Sequence, residues 1–120
     1  NDVNLAFNLE LDGAYLPSFK RIFLLKNYKS VRNFIIIGSA HNIKEIRVKE
    51  AQRVKQIFIS PIFKKTFKNK KLGIVNFNNI CKKTNLPIIA LGGINKKNIN
   101  NLKMTKTKGF AAINYFKEKK

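Results

Sequence analysis

Two adjacent glycines, Gly92-Gly93, followed by Ile94, close a short apolar run, Ile88–Leu91. Without side chains, glycines let a ligand approach the backbone and leave amide N–H groups to hold an anion. A plain tight turn explains an isolated glycine pair equally well, and the position directly after a buried strand is what favours a phosphate. Ser39-Ala40-His41 closes a second apolar run, Phe34–Gly38. A serine hydroxyl and backbone amides there can bind a phosphate or diphosphate oxygen, and His41 can exchange a proton near neutral pH. Spacing alone leaves His41 as readily a surface or capping residue. A third run, Ile57–Ile59, leads through Ser60-Pro61 into a loop carrying Lys64, Lys65, Lys68, Lys70 and Lys71. Such charge runs are usually only solvated, but on a binding face a lysine can meet a diphosphate. Asp2 is the acid near the chain start that can lie at a strand end. Mg²⁺ commonly takes one or two carboxylates together with substrate phosphates and water.

These residues need a scaffold, and the same apolar runs supply it. Strands are expected at Ala14–Leu16, Phe34–Gly38, Ile57–Ser60, Ile88–Leu91 and Phe110–Ile113. Phe34–Gly38 shows no alternation, as expected of a parallel strand covered on both faces. Helical spacing predicts helices over Asp2–Glu10, from Pro17-Ser18 to about Asn27, over Ile74–Lys83, and over Asn98–Met104. One more helix follows Asn42, which with Glu45 forms a capping box, and its apolar stripe reads Ile43, Ile46, Ala51 and Val54. Strand spacings of roughly 20–30 residues suit βαβ crossovers. The expected fold is α/β: about five parallel strands in sequential order with outer helices, an arc of a (β/α)8 barrel. That arrangement would bring Ser39, Lys68, Gly93 and Asn114 to one end of the sheet.

At 120 residues with 44% hydrophobic content and 10 Phe, residues 1–120 form a single packed domain. The longest purely apolar run, Phe34–Ile37, is far short of a membrane span, and nothing after Asn1-Asp2 reads as a signal peptide. The single Cys81 lies on a predicted helix, reads as a structural thiol and fits a cytoplasmic setting. A net charge of +19 suggests an anionic partner such as nucleic acid. However, the excess is nearly all Lys, accompanied by abundant Asn and Ile, and AT-rich codons produce that composition without selection for binding. No nucleic-acid-binding signature is present, and the aromatic residues sit at core spacing rather than on a stacking platform. A basic nucleic-acid-binding module is therefore the competing class and not the preferred one.

The motifs occur in a recognisable order: Asn1-Asp2, Asp12-Gly13-Ala14-Tyr15-Leu16, Gly38-Ser39-Ala40-His41, Ser60-Pro61-Ile62-Phe63, Leu72-Gly73, Ala90-Leu91-Gly92-Gly93-Ile94, and Gly109 with Phe110–Asn114. In this the chain resembles the C-terminal part of the thiamine-phosphate synthase family, which includes the related thiazole tautomerases. The resemblance implies a TIM-barrel transferase of thiamine biosynthesis. Such an enzyme joins an aminopyrimidine diphosphate to a thiazole phosphate, with Mg²⁺ and basic groups stabilising the departing diphosphate. By position, Asn1 would contact the aminopyrimidine diphosphate, Asp2 would bind Mg²⁺, and Ser39 and Lys68 would hold the diphosphate. Lys65, Thr66 and Phe67 would meet the thiazole phosphate, with Gly93, Ile113 and Asn114 completing its phosphate site. His41 matches the proton-transfer histidine of the tautomerase branch.

Three positions depart from the family pattern. Where the synthases carry a second Mg²⁺ aspartate, this chain reads Leu16-Pro17-Ser18-Phe19-Lys20, without an acid. The usual His of the first strand here is Tyr15, and the Thr-x-Thr of the long loop is Lys65-Thr66-Phe67. A thiazole tautomerase or an inactive relative is accordingly the alternative within the family. Because Asn1-Asp2 matches the end of the family's third strand, the sequence reads as a fragment whose N-terminal strands are missing. On that reading, the chain alone would bind thiazole phosphate weakly without making thiamine phosphate. Its open edges would also be compatible with a homo-oligomer.

Overall fold

The structure, a computed structural model, describes residues 2–21, 33–63, 71–112 and 115. Helix α1 (Asp2–Asn8) opens the chain, and a turn carries it into β1 (Gly13–Leu16). Then come β2 (Ile35–Ala40), α2 (Ile43–Ala51), β3 (Gln56–Ile59), α3 (Gly73–Cys81) and β4 (Ile88–Leu91). A 3-10 helix (Ile99–Met104) and β5 (Gly109–Ala111) complete the described order. The five strands form one sheet in the order β1-β2-β3-β4-β5. Every neighbouring pair is parallel, with Ala14 opposite Ile36, Gly38 opposite Ile57, Phe58 opposite Ile89, and Leu91 opposite Ala111.

Side chains alternate between the two faces of a strand, so register separates the strand residues into two sets. One set, with Leu16, Ile36, Ala40, Ile57, Ile59, Ile88 and Ala90, is buried. It packs against Val3 of α1, Ile46 of α2, Phe77 and Ile80 of α3, and Leu102 of the 3-10 helix. The described helices that contribute to these clusters therefore cover one face. The other set, with Ile35, Ile37, Phe58, Ile89 and Leu91, is half-buried, and none of it joins either cluster among the described residues. In a closed barrel that second face lines the interior. Gly38 sits on the helix-covered face, where a Cβ would come within 2.8 Å of Lys49 Cδ and 3.1 Å of Val54 Cγ1. Its missing side chain is what lets α2 lie close to β2.

Several boundaries differ from the sequence expectation. Pro17–Lys20 is a turn closed by the Lys20 N–H on the Pro17 carbonyl at 3.1 Å, not the first turn of a helix. The remainder of that expected helix lies outside the described residues. The stripe on α2 is also different, because Ala51 is exposed and Lys49 is buried in its place. Lys49 Nζ donates to the Lys20 carbonyl at 2.7 Å and to Gln52 Oε1 at 2.8 Å, while Gln52 Nε2 donates to the same carbonyl at 2.9 Å. The buried ammonium is thus satisfied by a main-chain oxygen from the loop after β1, which fastens that loop to α2. The segment Asn98–Met104 forms a 3-10 rather than an α-helix, and the last strand runs Gly109–Ala111, leaving Ile113 outside the described residues.

Candidate functional site

In a parallel sheet the strand C-termini all lie at one end, and the loops that follow them form a common surface. Ser39 is the penultimate residue of β2, His41 follows that strand, and Gly93 stands two residues beyond β4. The structure therefore brings Ser39, His41 and Gly93 to the same end. Asp2, the first residue of α1, belongs there too. Val3 clusters with Leu16 at the end of β1, while Phe7 meets Phe34 edge-on before the start of β2, with ring centroids 5.3 Å apart. Helix α1 thus runs back along the sheet with its N-terminus at the strand C-termini. Asn1, Lys65, Thr66, Phe67, Lys68, Ile113 and Asn114 lie outside the described residues.

The glycine loop is held by its carbonyls. Gly92 and Gly93 have φ of 102° and 73°, a region that L side chains rarely adopt. The Gly92 carbonyl accepts from the Phe63 N–H at 3.1 Å, and the Gly93 carbonyl accepts from Asn98 Nδ2 at 2.8 Å. Asn98 Oδ1 in turn accepts from the Asn95 N–H at 2.8 Å, and Asn95 Oδ1 accepts from the N–H groups of Lys97 and Asn98. With the oxygens tied back, the N–H groups of Gly93 and Ile94 donate to no backbone carbonyl among the described residues, which is the arrangement an anion needs. The sequence reading missed Asn98 as a brace. Its signal was the Asn-x-x-Asn spacing directly after the glycines, a self-bonding turn pattern. The Phe63 contact also fixes one flank of the lysine-rich loop beside the glycine loop. At the other flank the Leu72 N–H donates to the Pro61 carbonyl at 2.8 Å.

Ser39 is buried, with 8% of its surface exposed, and its Oγ accepts from the Tyr15 hydroxyl at 2.8 Å. His41 is exposed and held by Glu45: the same carboxylate oxygen accepts from the His41 backbone N–H at 2.8 Å and lies 3.0 Å from Nδ1. Asn42 caps α2 as expected, its Oδ1 accepting from the Glu45 N–H at 2.9 Å. The return bond of the box is displaced by one residue, because Glu45 reaches His41 rather than Asn42. The carboxylate is thereby placed to orient an imidazole as well as to cap a helix. Cys81 is half-buried on α3, and burial raises its thiol pKa above the ordinary 9.0, which suits a structural thiol. Among the described residues no group of three or more His, Cys, Asp or Glu side chains is placed to hold a metal. Nor is any helix there long and apolar enough to cross a membrane.

A sequentially ordered parallel sheet, helices on one face and a glycine-bearing loop at the strand C-termini define an arc of a TIM-barrel-like α/β protein. The sequence model of the family described as thiamine monophosphate synthase matches residues 1–116, and the chain belongs to that family. It is 39% identical over 114 residues to the thiamine-phosphate synthase of Prochlorococcus marinus, covering 92% of this chain and 33% of that protein. It is 31% identical over 118 residues to the putative thiamine-phosphate synthase 2 of Aquifex aeolicus, covering 96% of this chain and 62% of that one. The chain thus spans from one third to about three fifths of the length of these curated relatives. The thiamine phosphate pyrophosphorylase of Pyrococcus furiosus shares the fold with a TM-score of 0.67 at 24% identity, over 92% of this chain and 53% of that one.

Proposed function

We propose that the chain supplies the phosphate-binding face of a thiamine-phosphate synthase, a transferase that joins an aminopyrimidine diphosphate to thiazole phosphate. The observation that carries this reading is the glycine loop, with the Gly92 and Gly93 carbonyls tied back, standing at the end of the sheet where Ser39 also stands. In this role the amides of Gly93 and Ile94 hold the phosphate of the thiazole, and the Ser39 hydroxyl donates to a diphosphate oxygen. Lys68 adds charge to the diphosphate, and Lys65, Thr66, Phe67, Ile113 and Asn114 line the thiazole phosphate side. Fixed donors aimed at a departing diphosphate stabilise the charge it develops, and holding both substrates at one strand end aligns them for reaction. Asn1 contacts the aminopyrimidine diphosphate. The donor set for magnesium is a single carboxylate, Asp2, which fits an ion that takes its other ligands from substrate phosphates and water. Such an ion, when bound, neutralises diphosphate charge.

The test is a titration of thiazole phosphate onto the chain at physiological ionic strength, with Gly93→Asp beside it. The expected result is saturable binding that the variant abolishes, because an acidic side chain enters the space of the phosphate at a backbone with φ 73°. Absence of saturable binding, or binding that survives the substitution, overturns the reading. The contact between His41 and Glu45 favours a second reading, a thiazole tautomerase in which His41 moves the proton. Isomerisation of a thiazole carboxylate phosphate that is lost in His41→Asn would select it over the transferase.

A further inference from the structure

We propose that Tyr15 is a positioning residue that aims the proton of Ser39 at the anion. The inference rests on the reading that Ser39 meets a diphosphate. Tyr15 and Ser39 stand on adjacent strands, on the sheet face turned away from the helices. Tyr15 pairs in register with Ile37, so Ser39 is its diagonal neighbour, one step nearer the strand C-termini. The phenol hydroxyl reaches Ser39 Oγ at 2.8 Å.

A phenol hydroxyl is a stronger hydrogen-bond donor than an aliphatic alcohol, so Tyr15 is the donor and Ser39 Oγ the acceptor. A serine hydroxyl has one proton of its own. Once Oγ accepts from Tyr15, that proton must point elsewhere on its cone, and among the described residues no acceptor is recorded for it. Accepting a bond also polarises the O–H and strengthens it as a donor. The two residues differ in exposure: Ser39 is 8% exposed and Tyr15 is 55% exposed. The buried hydroxyl is therefore held by an accessible one, on the side from which a ligand would enter. Tyr15 thus selects the direction in which Ser39 donates, and does so without touching the anion.

The experiment titrates inorganic pyrophosphate onto the 120-residue chain at physiological ionic strength, so that the general +19 charge is screened. Four proteins are compared: the wild type, Ser39→Ala, Tyr15→Phe, and the double variant. Loss of a hydrogen bond to a charged group predicts roughly tenfold weaker pyrophosphate binding for Ser39→Ala, and about three- to tenfold for Tyr15→Phe. Since Tyr15 acts through Ser39, the double variant is expected to bind like Ser39→Ala, a non-additivity that a general structural role would not produce. Tyr15→Phe binding like the wild type, or a double variant weaker than Ser39→Ala by the full Tyr15→Phe factor, overturns the proposal. A wild type without saturable pyrophosphate binding overturns the underlying site reading, and the proposal with it. Wild-type binding with an indifferent Tyr15→Phe sinks the proposal alone.

Discussion

Both faces of the sheet carry large apolar residues and treat them differently. On the helix-covered face Ile57, Ile59 and Ala90 have no exposed surface, and they share a cluster with Ile46, Phe77 and Leu102. One residue along each strand, Phe58, Ile89 and Leu91 remain half-buried. For these residues the difference lies in their partners, since isoleucine stands on both sides, as Ile57 and Ile59 on one and Ile89 on the other. The covered face supplies hydrophobic stabilisation, while the second face holds Tyr15 and Ser39 at its upper edge and takes the role of a barrel interior. The stabilising core and the Tyr15–Ser39 pair of the candidate site thus sit on opposite sides of the same strands.

The sharpest contrast is expected from Phe77, which is fully buried on the covered face. Phe77→Ala should cost about 3–5 kcal/mol, enough to unfold a domain of this size, as urea denaturation would show. A loss below 1 kcal/mol, on the order of a surface substitution, would mean that the helices do not carry the fold. Next comes Lys49, the charged exception within that face. Lys49→Met removes the Nζ hydrogen bonds to Gln52 Oε1 and to the Lys20 carbonyl, at a cost of about 1–3 kcal/mol. Burial is the main cause that lowers the Lys49 pKa from 10.5, with Glu45 opposing and Arg21 adding to the shift. The unfolded chain therefore binds this proton more readily than the folded one. Stability from this group rises as pH climbs from the lowered pKa towards 10.5, and Lys49→Met should remove that alkaline rise. Denaturation curves of both proteins across this window decide the matter.

The strands were readable in advance because each is a short apolar run, but their facing was not. Ile35, Ile36 and Ile37 are the same residue three times, and only the neighbouring Gly38, packed under Lys49, marks which side meets the helix. Lys49 itself was hidden because lysine ordinarily belongs to solvent, although it lies three residues after Ile46, on the same side of α2. The places of Ser39 and Gly93 at the C-terminal end of the sheet were readable from the apolar runs that precede them. The bond from Tyr15 to Ser39 was not, since 24 residues and a strand pairing separate its partners. Pro17-Ser18 carried a helix-start signal that the turn overrode, with the Lys20 carbonyl claimed by Lys49 and Gln52.

A milder substitution tests the second face directly. Phe58→Ala removes a half-buried ring and should cost about 1–2 kcal/mol, well short of the loss at Phe77. If the two losses are equal, the second face is covered in solution. Repeating the unfolding at several protein concentrations would then reveal self-association as a concentration-dependent midpoint.

The smallest effect is expected at Glu50, on the outer side of the helix layer. Its carboxylate accepts from Arg47 at 2.7 Å and from Thr84 at 2.8 Å, the latter tying α2 to the turn before β4. The Arg47 hydrogen bond is the largest cause that lowers its pKa below 4.5, while partial burial opposes it. The folded chain thus holds this proton less readily than the unfolded chain. The stabilisation is present above 4.5 and is lost as pH falls through the lowered pKa. Arg47 is 53% exposed, so solvent screening limits the contribution to about 0.5–1 kcal/mol. Glu50→Gln should therefore lower stability slightly at neutral pH and flatten the acid limb of the stability profile. A loss as large as that at Lys49 would show that the outer layer, and not only the covered face, governs how the helices are held.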